Sequence, residues 1–255
     1  MENCTKLNLG LLVFGSGQCK ISRMHILPRR AADAHDVHTA LEEILHAVTH
    51  GIGAVLAIVA LVFLILKAVG MGAGAAAITA VSIYGGCAIF LYLASTIYHA
   101  CYNLKAQSIL EVFDHAGIYL KIAGSYTPFA LITLPDLTGK IILAVVWSLA
   151  AVGVALKFVV HFFAGLKKYD WISLASYIGM GWIAIFVVHE LLKNLSLPGF
   201  IWLVAGGLCF TVGAGFYAWK SRAYTHTIWH LFVLAGSICH FVAIYWFVLG
   251  GEIAA

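Results

Sequence analysis

Apolar residues fill this chain in long uninterrupted runs, and short polar or Gly/Pro stretches separate the runs. A helix needs about 20 apolar residues to cross about 30 Å of hydrocarbon. By that measure the pattern predicts seven spanning helices, at approximately 46–67, 75–101, 110–133, 138–160, 171–192, 198–219 and 226–249. Barrel strands would be about ten residues long with strict alternation. The predicted fold is therefore all-α, a seven-transmembrane helix bundle.

Composition supports a membrane protein. Hydrophobic residues make up 62% of the chain and charged residues 10%, whereas a soluble domain has about 25% charged residues. The connections are too short for another folded unit, so we expect one domain over 41–255, after a poorly ordered cytosolic lead-in over 1–40. The six cysteines show no CxxC spacing and predict no disulfide framework.

Lys and Arg residues are distributed unequally between the two sides of the predicted bundle. Positive residues near segment ends are retained on the cytoplasmic side. The stretch before span one and the connections after spans two, four and six contain Lys6, Lys20, Arg23, Arg29, Arg30, Lys105, Lys157, Lys167, Lys168, Lys220 and Arg222. The opposite connections contain only Lys67, Lys140 and Lys193. This predicts a cytoplasmic amino terminus and an outside carboxyl terminus, and it explains the net charge of +4 without a nucleic-acid partner.

Ionisable residues inside the spans are concentrated at one leaflet. Each costs about 2.5–3.5 kcal/mol to insert, so it needs a partner, a cavity or a function. With this orientation, span two ends at His99, span three begins near Asp114, and span seven begins with His226 and His230. All four are therefore predicted near the cytoplasmic face.

The spacing of these histidines favours a metal site. His226 and His230 are four residues apart, so they stack one turn apart on a helix and are able to grip one ion. A third imidazole, for which His99 is the best-placed candidate, would leave the fourth tetrahedral position of a zinc ion for water. The alternative is that each is an interfacial or hydrogen-bonded helix residue, but burying three unpaired imidazoles together would be costly.

Two further polar residues belong to this prediction. Ser95 precedes His99 by one turn, where its hydroxyl would bond the second imidazole nitrogen or a bound water, unless it is only a small packing residue. Asp114 has three available roles: a fourth ligand, an orienting acceptor, or the base acting on the attacking water, which we prefer. Its alternative is an ion pair with Lys105.

Other polar positions are assigned secondary roles. Lys121, seven residues beyond Asp114, is predicted to border a polar cavity or to snorkel, and Pro128 to kink the third span. His240 is expected too deep to be a ligand. Glu43, His46 and His50 at the start of span one are secondary candidates. Glu43 and His46 are three residues apart and are predicted to make a local hydrogen bond or cap.

The motifs together resemble a known family. They are Glu43 through Thr49-His50-Gly51, Ser95-x-x-x-His99, Asp114-His115, Ala123-Gly124-Ser125-Tyr126-Thr127-Pro128-Phe129 and His226-x-x-x-His230-x-Phe232-Val233. From about residue 40 to the end, the chain resembles the hemolysin III proteins, the bacterial branch of the progestin and adipoQ receptor family. The resemblance implies seven helices in the bacterial inner (plasma) membrane and a zinc ion held by His99, His226 and His230, with Asp114 and Ser95 beside it. The family is also similar to alkaline ceramidases, which implies a lipid amide as substrate class.

The leading functional hypothesis is a zinc-dependent hydrolase of an amide or ester bond in a membrane lipid. One rival is a receptor or regulator of membrane lipid state, in which zinc only ties helices together. Another is a cytolytic or pore-forming protein, suggested by the family's name. It ranks last because a chain built of apolar spans lacks the soluble form that a secreted toxin needs.

Overall fold

The structure is a computed structural model that describes residues 39–163 and 170–250. All but the last two residues of the predicted lead-in lie outside the described residues. Those two already belong to the bundle. Thr39 accepts a hydrogen bond from the backbone N–H of Glu42, and the Glu42 carboxylate accepts one from the Thr39 N–H, which is a complete capping box. The first helix therefore begins at Ala40, with Thr39 as its cap.

The described residues fold into helices joined by short connections. The helices are α1 (Ala40–Gly70), α2 (Gly74–Ala100), α3 (Leu104–Pro128), α4 (Asp136–Phe162), α5 (Asp170–Gly181), α6 (Val188–Asn194), α7 (Leu197–Ala218) and α8 (Thr225–Val242). A 3₁₀ segment, Trp182–Val187, joins α5 to α6 into one continuous rod. Seven rods thus correspond to the seven predicted segments, which confirms the all-α prediction.

Six of the described helical rods are long and apolar enough to cross a membrane. The exception is the rod that begins with α3, because Glu111, Asp114 and Lys121 interrupt its apolar sequence. Its length is sufficient, since 25 α-helical residues rise about 37 Å. A multi-pass membrane protein is established, and the seventh crossing remains a prediction.

Neighbouring rods contact each other in chain order, and α8 returns to pack on α1, so the helices close into a ring. The outer surface of this ring is apolar: α1 alone exposes Val55, Leu56, Val62 and Phe63. The buried side chains include many polar ones, such as His46 and Lys121. Apolar residues outside and polar residues inside suit a bundle whose solvent is lipid.

Close packing of α1 on α2 sets the position of the site. A Cβ added at Gly53 would lie 2.7 Å from Cδ1 of Tyr92, so only glycine allows this approach. The fully buried Tyr92 hydroxyl then donates to Oγ of Ser237, at 2.7 Å, which ties α2 to α8. These contacts hold three helices together directly beneath their polar ends.

The third helix changes type at Pro128, where the sequence predicts a kink. α-Helical geometry ends at this residue and continues as a π-helical segment, Phe129–Thr133. Proline lacks the N–H that a regular helix requires. Trp147 on α4 donates its indole N–H to the Thr127 hydroxyl, at 3.2 Å, and so supports the distorted region from the neighbouring helix.

Candidate metal centre

The site lies at the end of the bundle where α1, α3 and α8 begin and α2 ends. A backbone contact sets the start of α8: Tyr224, which has a left-handed φ of 63°, donates its N–H to Oε1 of Glu42 at 2.8 Å. A non-glycine residue with this φ is uncommon. The Glu42 carboxylate therefore both caps α1 and holds the turn that leads into His226.

At least four imidazole rings meet at this end. His99 and His226 lie 5.3 Å apart between ring centroids, His99 and His230 5.2 Å, and His226 and His230 4.7 Å. The three histidines predicted from the sequence are therefore close together, as the helix order required. The fourth ring belongs to His46 on α1, which lies 4.6 Å from His226.

One subset of these histidines meets a direct criterion for a metal site. Ligand atoms from His46, His99 and His226 all lie within 4.8 Å of one another. From the sequence, His46 is only a secondary candidate. Its signal was nevertheless present, because His46 and His50 repeat on α1 the four-residue spacing of His226 and His230, at the same end of the bundle.

His99 is oriented by a carboxylate. Its Nδ1 lies 2.8 Å from Oε2 of Glu43, so the N–H donates to the carboxylate and leaves Nε2 with its lone pair. Nε2 of His99 is buried, and no residue in the described part of the chain hydrogen-bonds it. An imidazole held by a carboxylate through one nitrogen, with the other presented to a shared centre, is the usual arrangement of a metal-ligating histidine.

This contact corrects two predictions. Glu43 serves His99 on another helix, and the cap of α1 is made by Glu42 instead. Ser95 is not the partner of the second His99 nitrogen, because Glu43 occupies it. The Ser95 hydroxyl is buried and has no hydrogen-bond partner among the described residues, so it remains available to a water or ligand.

His230 is oriented by a hydroxyl. The Thr49 hydroxyl donates to the backbone carbonyls of Leu45 and His46, at 2.8 and 3.0 Å. Its single proton is thus used, so at 3.2 Å it accepts from Nδ1–H of His230. The lone pair of His230 is then on Nε2. His50 stacks on the same ring, with centroids 3.6 Å apart and planes 6° from parallel.

A cavity of about 560 Å³ opens from the histidine cluster into the bundle. Ser95, Asp114, His99, His226 and His230 all line it, so the five predicted site residues share one space. Asp114 is half-buried there. Deeper parts of the wall are mainly apolar and include Phe129, Ile142, Ile185, Leu191 and Phe200.

Lys121 and His240 are among the polar residues that line the cavity, and this position was predicted for Lys121. Lys121 is buried, donates from Nζ to Oγ of Ser125 at 3.1 Å, and lies 4.6 Å from the ring centroid of Tyr84. His240 approaches the backbone carbonyl of Leu203 at 3.3 Å and is not part of the histidine cluster. This agrees with its predicted depth.

The donor set fits a borderline divalent ion. Imidazole nitrogens bind zinc tetrahedrally and also suit copper, iron and nickel. The buried Nε2 of His99 is the observation that supports a bound cation most directly, since a buried polar atom without a partner is costly. The fold and the site together define a multi-pass helical membrane protein with a buried histidine cluster able to hold a metal ion.

The chain belongs to the haemolysin III family: the family model described as Haemolysin-III related matches residues 38–241. Hemolysin-3 from Bacillus cereus is 43% identical over 208 residues, covering 82% of this chain and 92% of that relative. A Hemolysin-3 homolog from Bacillus subtilis (strain 168) is 44% identical over 206 residues, covering 81% and 94%. Monocyte to macrophage differentiation factor from Homo sapiens is 29% identical over 171 residues, covering 64% and 68%. The resemblance seen in the motifs is thereby confirmed.

Proposed function

We propose that this protein is a zinc-dependent hydrolase of an amide or ester bond in a membrane lipid. The observation that carries the proposal is the continuous cavity, which joins a polar histidine cluster at one end to an apolar interior. A lipid is the kind of molecule that needs both environments, because its labile bond lies beside its polar headgroup and its acyl chains need an apolar wall.

His99, His226 and His230 are the proposed zinc ligands. Glu43 fixes the orientation of His99, and Thr49 that of His230, each through Nδ1, which leaves the lone pair of both rings on Nε2. Bound zinc supplies Lewis-acid polarisation of a carbonyl and lowers the pKa of a coordinated water to about 7.

Asp114 and Ser95 are the proposed catalytic residues. Asp114 lines the cavity near the polar end, where a carboxylate is able to accept a proton from the attacking water and return it to the leaving amine or alcohol. The buried Ser95 hydroxyl is placed to hydrogen-bond the water or the substrate carbonyl.

The proposed setting is the bacterial plasma membrane, with the amino terminus and the metal centre on the cytoplasmic side. Among the described basic residues, Lys105, Lys157, Lys220 and Arg222 lie at the same end as the histidine cluster. Lys67, Lys140 and Lys193 lie at the other end. By the positive-inside rule, this distribution supports a cluster at the inner face.

A receptor or regulator of membrane lipid state is the second candidate. It is favoured by the origin of the clustered histidines, since α1, α2 and α8 each supply at least one ring. A metal at that junction would tie three helices together without any turnover. Cytolysis is suggested only by the relatives' name, Hemolysin-3.

One experiment separates these functions. Purified wild-type protein is analysed for metals beside His99→Ala and His226→Ala, and lipid extracts are compared by mass spectrometry before and after incubation. The hydrolase predicts stoichiometric zinc in the wild type, none in the variants, and zinc-dependent cleavage. Zinc that raises the melting temperature without cleaving any lipid favours the receptor, and a wild type without transition metal contradicts both.

A further inference from the structure

His46 stands apart from the proposed ligand set, yet it is the most enclosed member of the cluster. It is 0% exposed, and its ring centroid lies 4.7 Å from that of His99 and 5.1 Å from that of His230. The residue comes from α1, which supplies no ligand in the three-histidine arrangement. The three-histidine arrangement therefore gives this buried imidazole no role.

The four rings are mutually equidistant. The six centroid separations among His46, His99, His226 and His230 all fall between 4.6 and 5.3 Å. Four points at equal separations form a tetrahedron. Because zinc binds an imidazole nitrogen at about 2.0–2.1 Å, each ring centroid lies ~3.2 Å from the ion, and tetrahedral neighbours stand ~5.2 Å apart. The cluster thus has the size expected for four imidazoles around one cation.

The four rings are tilted against one another and none of them stacks on another. All six pairs have interplanar angles between 51° and 67°. His50 differs, because it lies flat on His230 at 3.6 Å and 6°. The inference therefore rests on the ring separations and on the ligand atoms of His46, His99 and His226, which lie within 4.8 Å of one another.

The cavity borders the cluster on the side of the other three histidines. His99, His226 and His230 line it, whereas His46 is not among the described residues that do. His46 thus completes the cluster from the α1 side, where it is not part of the cavity wall.

We propose that His46 is a fourth metal ligand, which makes this a four-histidine centre. The inference rests on the metal site of the proposed function but not on hydrolysis. It assigns α1 a direct part in metal binding, and it predicts tighter binding than three imidazoles provide. Four imidazoles fill the tetrahedral positions of zinc, so hydrolysis at this centre requires a fifth position for water, and without one the metal only ties the helices together, as in the regulator.

X-ray absorption spectroscopy of the zinc-loaded full-length wild type tests the inference without any variant. Four imidazole nitrogens at zinc support it, and three imidazoles with an oxygen ligand overturn it. A wild type that binds no zinc overturns both this inference and the proposed function.

Chelator competition supplies a second readout. His46→Ala is expected to weaken zinc binding by at least about 100-fold, since even partners of ligating histidines contribute 10–100-fold. His240→Ala is the matched control, because it also removes a buried imidazole from the cavity region but not from the cluster. Equal affinity in His46→Ala and His240→Ala overturns the inference while leaving a three-histidine hydrolase intact. Lipid cleavage is measured in parallel, so its absence refutes hydrolysis alone, and the nitrogen count still decides the role of His46.

Discussion

The carboxylate of Glu43 on α1 accepts a hydrogen bond from Nδ1 of His99 on α2, at 2.8 Å, and the two side chains are 12% and 1% exposed. The bond joins two helices and fixes the imidazole with Nε2 directed to the buried cluster. This contact between helices therefore determines that the proton of His99 is on Nδ1 and its lone pair on Nε2.

Replacing Glu43 is expected to weaken metal binding without removing a ligand. Glu43→Gln retains the shape of the side chain but lacks the negative charge that makes the imidazole a better donor, so zinc affinity should fall about 10–100-fold. Chelator competition measures the change. Glu190→Gln is the control, since Glu190 pairs with Lys193 at the other end of the bundle, and equal affinity in the two variants would show that Glu43 does not tune the site.

Thr49 is expected to act on His230 in the same way. Thr49→Val removes the oxygen that accepts from Nδ1–H, so the ring loses its orientation and zinc affinity should fall by about 10-fold. Thr96→Val is the matched control. The Thr96 hydroxyl also donates to a carbonyl one turn earlier, that of Tyr92, at 2.7 Å, but it hydrogen-bonds no histidine among the described residues. A similar loss in both would assign the effect to helix packing.

Asp114→Asn is expected to separate metal binding from turnover. The amide retains the size of the carboxylate but is a poor proton acceptor, so lipid hydrolysis should fall by about 100-fold or more while zinc content is unchanged. Mass spectrometry of lipid products and metal analysis measure the two quantities. Asp136→Asn, at an exposed pair with Lys140, is the control. Undiminished turnover in Asp114→Asn would exclude this residue from the chemistry.

Two adjacent glycines on α2 are expected to differ sharply in stability. A Cβ at Gly85 would lie 2.6 Å from Cδ1 and 2.8 Å from Cβ of Leu61, so Gly85→Ala should separate α1 from α2 and cost about 1–3 kcal/mol. No atom lies within 4 Å of a Cβ at Gly86, so Gly86→Ala should be neutral or stabilise by up to about 1 kcal/mol. Melting temperatures in detergent test this, and identical values would contradict the close packing.

Membrane orientation is testable with a water-soluble maleimide on intact cells. In a background without native cysteines, Ser196→Cys, between α6 and α7, should be labelled, whereas Tyr102→Cys, between α2 and α3, should react only after lysis. This expectation follows from the distribution of Lys and Arg, which by the positive-inside rule predicts that the second position is inside. The reverse pattern would move the histidine cluster to the outer face.

The helices were largely predictable from the sequence. Each predicted segment overlaps an observed rod, because a backbone in hydrocarbon must satisfy its own hydrogen bonds and an apolar run of sufficient length therefore becomes a helix. The exception is α3, which is long enough to cross the membrane but less apolar than the other rods, because the polar residues that line the cavity lower its hydropathy. The meeting of His99, His226 and His230 at one end likewise followed from helix direction and spacing.

Partners across helices were decided by the tertiary structure. Helical periodicity predicts where Glu43, His46 and Thr49 lie along α1. It does not predict the rotation of α1 about its axis or the depth at which α1 packs against α2. Those two quantities depend on local packing, such as the contact of Gly53 with Tyr92, which brings α1 close enough for its polar side chains to reach α2 and α8. The sequence by itself therefore determined which helices form and which ends carry the histidines. Only the three-dimensional packing decided that Glu43 holds His99 and that His46 completes the cluster, because side-chain contacts between helices depend on distances of a few ångströms that no spacing along the chain encodes.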